Sequence, residues 1–72
     1  MEKYLNKNRD SGVSHFEIHT DKIIIKFTRT IRTYTYSYSK AGVEHVNKMK
    51  ILARNGSGLN SYIDLNVRKL YD

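Results

Sequence analysis

The chain of 72 residues has no cysteine. That excludes a disulfide framework and any thiolate metal site. It also has no tryptophan and only two phenylalanines, so aliphatic residues and tyrosines must build the core. A domain this small buries a smaller fraction of its surface than a larger one, which leaves a thin stability margin. Long apolar runs are missing too. No stretch reaches the length of a membrane span, and "MEKYLNKNRDSG" is too polar for a secretory leader. These absences predict a soluble, cytoplasmic, single-domain protein.

Acids are scarce where cations are frequent. Between Asp21 and Glu44 stand Lys22, Lys26, Arg29, Arg32 and Lys40 without one carboxylate. Between Glu44 and Asp64 stand Lys48, Lys50 and Arg54, again without one. With a formal net charge of +6 the chain suits polyanionic partners, through phosphate contact and counterion release. The same charge could serve solubility alone. The acids that exist are dispersed, and with no paired carboxylates and no cysteine nucleophile the sequence predicts no enzyme and no cofactor. His15 and His19, four residues apart on one strand face, would lie about 13 Å from each other, too far to share an ion. No metal site is expected.

What is present is alternation, followed by helical spacing. Residues 1–12 lack periodicity, end in a turn-forming cluster and read as a flexible arm from which Tyr4 and Leu5 could dock on the body. In "VSHFEIH" Phe16 and Ile18 share a face. In "KIIIKFTR" Ile23, Ile25 and Phe27 do the same, and Thr20-Asp21 between them implies a tight hairpin pairing Ile18 with Ile23 and Phe16 with Ile25. The third run, "RTYTYSYSK", sets Tyr34, Tyr36 and Tyr38 at every second position. An even loop before it places Tyr34 opposite Ile25 and Tyr36 opposite Ile23, on the apolar face. An odd loop turns the rings outward. Sorting by polarity favours the even loop, because a slip of one residue exchanges the two faces of the strand.

Gly42, His45, Val46, Met49, Leu52 and Ala53 then fall on one helical stripe, with Ser39 as candidate N-cap and Gly56 as the residue that ends the helix. A second helix follows, with Ser57 as its cap and Leu59, Tyr62, Ile63, Asn66, Val67 and Leu70 on its inner face. "RNGSGLN" between them could also offer free amides to a phosphate, with Arg54 beside it. The predicted architecture is α+β: a single domain over residues 13–72, in which a three-stranded antiparallel meander is covered on one face by two helices.

The tyrosine pair Tyr36 and Tyr38 (or Tyr34 and Tyr36), a following helix, and then Gly56, Asn60 and Ile63 in the pattern Gly-x-x-x-Asn-x-x-Ile resemble the KTSC domain. That family is named after a C-terminal extension of some lysyl-tRNA synthetases. The likeness covers about residues 13–67. It implies a short bacterial-type α+β domain for which RNA binding has been suggested.

Two functions compete at this level. In the first, the chain is a small basic module that holds RNA by non-specific phosphate contact. Arg29, Arg32, Lys40 and Arg54 supply charge, while Tyr34, Tyr36 and Tyr38 assist from the rim of the sheet. In the second, it is a non-enzymatic interaction module or a homodimer that pairs through an exposed sheet edge.

Overall fold

A computed structural model of the chain describes residues 1–7 and 12–72. Its strands are β1 (Glu2–Lys3), β2 (Val13–Ile18), β3 (Lys22–Phe27) and β4 (Thr33–Ser37). Helix α1 (Val43–Asn55) and a short α2 (Leu59–Tyr62) follow, and α2 runs directly into a π-helical segment, Ile63–Val67. The strands form one antiparallel sheet in the order β1-β2-β3-β4. The class is α+β as the patterning predicts, but the sheet has four strands rather than three.

The apolar pattern sets the register. Ile18 pairs with Ile23 and Phe16 with Ile25, across a turn closed by His19 N–H donating to the Lys22 carbonyl at 3.0 Å. Neither Thr20 nor Asp21 takes a positive φ, so the turn is not one of the primed hairpin types. An even stretch, residues 27–32, separates the paired Lys26 and Thr33, which places Ile23 opposite Tyr36 and Ile25 opposite Tyr34. Simple alternation would turn Val13 outward with His15. A register shift between Val13 and His15 turns it inward instead, and Val13 is 2% exposed.

The additional strand comes from the segment expected as an arm. Glu2 pairs with Phe16 and Lys3 with His15, a pairing too short to leave a periodic signal in sequence. Tyr4 is part of the core, and its backbone N–H donates to the Ser14 carbonyl. Its hydroxyl accepts a hydrogen bond from the Leu59 N–H at 3.2 Å. Lys7 N–H donates to the Gly56 carbonyl at 2.7 Å. Residues 8–11 of the expected arm lie outside the described residues.

The expected N-caps are not used. Gly58, with φ of 82°, precedes α2 in place of Ser57, and the Tyr4 hydroxyl accepts the first helical N–H. At α1, Gly42 rather than Ser39 stands at the start. The chain first turns through Ser37, whose carbonyl and hydroxyl accept from Ala41 N–H and Lys40 N–H. Gly56 does end α1, in the left-handed conformation with φ of 79°, its N–H donating to the Leu52 carbonyl.

Helix α1 buries Val46, Met49 and Ala53 against the sheet, and the terminal helix buries Leu59, Ile63 and Val67. The latter three recur strictly every fourth residue. On an α-helix that spacing drifts around the axis, while the wider π turn keeps Ile63 and Val67 on the inner side. The same widening leaves Asn66 exposed, and regular helix stops at Val67 rather than reaching Leu70. The tail folds back instead. Asp72 N–H donates to the Thr35 carbonyl at 2.7 Å, and the Asp72 carboxylate accepts from the Ser37 hydroxyl at 2.7 Å, so the tail lies along the outer edge of β4.

Gly56→Ala should destabilise the fold by about 1–2 kcal/mol from its left-handed φ alone. The added Cβ would also lie 2.6 Å from the Leu5 Cβ. Gly12→Ala, whose Cβ would meet nothing closer than 3.5 Å, should stay within about 0.5 kcal/mol of the parent. Urea unfolding of the pair contradicts this if the two variants lose equal stability. Tyr4→Phe should cost about 1–3 kcal/mol in the same measurement, because the buried Leu59 N–H loses its acceptor; an unchanged midpoint would show the capping contact to be idle.

Candidate nucleic-acid interface

Tyr34 and Tyr36 of β4 and Tyr38 just beyond it face the helices, as polarity requires, and they meet three different fates. Tyr36 is 1% exposed and belongs to the core. Tyr38 lies past the end of the strand. Its hydroxyl donates to Asn47 Oδ1 at 2.6 Å and accepts from Lys50 Nζ at 3.2 Å, and Lys50 also donates to the Thr20 carbonyl. The Lys50 ammonium stands 4.9 Å from the Tyr38 ring centroid, so this cluster ties the β2–β3 turn to α1. Tyr34, paired with Ile25 near the start of β4, remains half-buried at the rim.

At that rim a groove of about 320 Å³ opens between the β3–β4 loop and the terminal helix. Phe27, Tyr34 and Tyr71 form its aromatic wall in successive edge-to-face contacts. The ring centroids are 5.6 Å apart from Phe27 to Tyr34 and 4.9 Å from Tyr34 to Tyr71. Tyr71 reaches Tyr36 in the same manner at 6.3 Å. Thr30 closes the loop side, and Asp64 and Arg68 line the helix side. The Arg32 guanidinium lies 5.7 Å from the Tyr34 centroid. Burial pushes the Tyr36 phenol up to about 12, helped by its neighbours Tyr34 and Tyr71 and by the negative charge of Asp64. Tyr36 therefore stays neutral and protonated at physiological pH.

The sequence-predicted residues do not all converge here. Arg32 and Tyr34 line or overhang the groove, Tyr36 lies beneath it, and Arg29 is exposed on the adjoining loop. Lys40 is exposed in the turn beyond the opposite end of β4. Arg54, in the last turn of α1, lines a separate depression with Glu2, Phe16 and Glu17 at the far side of the sheet. Sequence reasoning missed Thr30, Asp64, Arg68 and Tyr71. For Arg68 and Tyr71 the available signal is "RKLYD", cations beside an aromatic past the last buried helical position; Thr30 and Asp64 carry none.

The uncovered face of the sheet adds charge. Cross-strand register aligns Lys3, His15, Lys26 and Thr33 in one row across all four strands, at the groove end of the sheet. His45 bonds the Tyr62 hydroxyl through Nδ1 at 2.7 Å, a packing role. Among the described residues no group of three or more His, Asp or Glu side chains could hold a metal ion. No described helix is long and apolar enough to cross a membrane.

No protein-family model, curated protein or solved structure matches the chain.

The raised Tyr36 pKa has a signed consequence. As pH rises, the unfolded chain releases this proton near 10, before the folded chain does. The contribution is whole below pH about 10 and is lost as pH climbs towards about 12. Stability measured by urea unfolding at increasing alkaline pH should therefore fall more steeply in the parent than in Tyr36→Phe. Equal pH dependence in the two proteins would contradict burial of the phenol.

Proposed function

We propose that the chain is a small nucleic-acid-binding module that holds single-stranded RNA by phosphate contact around the rim groove. The observation that carries this reading is the Arg32–Tyr34 pair, set in an aromatic-walled groove that Arg68 also lines. Among the described residues neither arginine has a carboxylate within ion-pair distance, so both guanidiniums are available to anions. Arg29 on the loop and Lys26 on the row across the sheet extend the basic surface. Ile31 stands 93% exposed between Arg29 and Arg32, where an apolar contact to sugar or base would lie. Stacking on an open sheet face plays no part, because the β4 rings point inward. The likeness to the KTSC domain favours RNA over DNA.

Association through a sheet edge has less support. The outer edge of β1 offers only Glu2–Lys3, and the Asp72 amide already occupies Thr35 on the outer edge of β4.

Titration of labelled single-stranded RNA at low and near-physiological salt tests the reading. Micromolar or tighter binding should weaken several-fold with salt. Arg32→Ala and Arg68→Ala should each reduce the salt slope by about 0.7, one phosphate contact apiece. Arg54→Ala, remote from the groove, should change little. Absence of binding at low salt, or a loss confined to Arg54→Ala, would overturn it.

A further inference from the structure

The groove contains a carboxylate that phosphate contact does not use. Asp64 and Arg68 stand one helical turn apart on the same wall, yet they form no ion pair within 4.0 Å. The π-helical segment between them alters the usual i, i+4 geometry. Among the described residues the hydrogen bond to the Asp64 carboxylate comes from Asn60 Nδ2, at a long 3.4 Å from Oδ2. No other described side chain donates to the carboxylate, and Asp64 is exposed. It lines the same groove as the Tyr36 ring. A polyanion alone would be repelled by Asp64. A ligand that joins an anion to a pair of adjacent N–H donors would not.

We propose that the groove receives a guanine base of a single-stranded RNA, with its N1–H and N2–H2 edge donating to the Asp64 carboxylate and its phosphate held by Arg68 and Arg32. This rests on the reading of the chain as a single-strand binder and adds a base preference to it. The choice among bases follows from their hydrogen-bonding edges. Guanine presents two donors side by side, matching two carboxylate oxygens. Adenine and cytosine each set one amino donor beside a ring nitrogen whose lone pair faces the second oxygen. Uracil sets its single N–H between two carbonyls. The volume, about 320 Å³, lies at the lower end of the ~300–1,000 Å³ typical of small-ligand sites and suits one nucleotide rather than a duplex. Tyr71, 39% exposed, offers ring surface for the base to pack against.

The test uses labelled oligouridines that carry a single guanine, inosine, adenine or cytosine, titrated by fluorescence anisotropy at one low salt concentration. The guanine oligomer should bind about tenfold tighter than the adenine and cytosine oligomers, as for a good bidentate base contact. Inosine lacks the N2 amino group and should fall between them. Asp64→Asn should flatten the ratio among bases. The ratio is the readout, because removing a negative charge can raise affinity for every oligomer. Arg68→Ala should weaken all four oligomers together and keep the guanine preference. Equal affinities with a normal salt slope would overturn the base assignment and leave the phosphate reading standing. A guanine preference that survives Asp64→Asn would overturn the role of Asp64. Failure of every oligomer to bind would overturn both readings.

Discussion

The register between β3 and β4 is the constraint on which the rest of the molecule depends. Pairing Ile23 with Tyr36 and Ile25 with Tyr34 brings aliphatic and phenolic side chains to the same side of the sheet. A shift of one residue in β4 would turn Thr33 and Thr35 towards the helices and strand the tyrosines in water. The free-energy difference between these alternatives is what a chain with so little core can least forgo. Helix α1 and the terminal helix then cover the apolar side, and Tyr36, Ile23, Met49 and Leu59 pack with almost no exposure.

That constraint also decides where chemistry can happen. Phenol rings facing inward cannot form an open stacking platform, so aromatic surface reaches solvent only where the layers end. At the start of β4 the strand meets the β3–β4 loop and the last turns of the chain. There Tyr34 and Tyr71 stand half in the core and half out, with arginines to either side. The folded-back tail contributes twice. It supplies Tyr71 to the groove, and it occupies part of the β4 edge through Asp72. The groove combines ring surface with two guanidiniums that have no carboxylate among the described residues within ion-pair distance, and with the exposed carboxylate of Asp64.

Much of this was legible in the sequence. Period-two alternation gave the pairing of the three main strands, and the polarity of each face gave the inward tyrosines. Helical spacing located both helices, and Gly56 marked the end of the first. What escaped were features that leave no periodic trace. Strand β1 is two residues long, and its hold on the structure comes from Tyr4, whose hydroxyl caps a helix far along the chain. The bulge that turns Val13 inward breaks the alternation that would otherwise misplace it. At the groove, Arg32 and Tyr34 were accessible because they are close together in sequence, at and just before the start of β4. Asp64, Arg68 and Tyr71 were not, because their nearness to Tyr34 is a product of the tertiary fold. Arg54 and Lys40 share the sign of the other cations but not their location, which composition cannot reveal.

A chemical-shift map of the isotope-labelled chain during addition of single-stranded RNA tests the central claim most directly. The rim groove as the site predicts that the largest changes fall on Thr30, Arg32, Tyr34, Asp64, Arg68 and Tyr71, with Tyr38 and Arg54 little moved. Changes centred on the uncovered sheet face around Glu17 and Ile24, or on the depression beside Arg54, would contradict it.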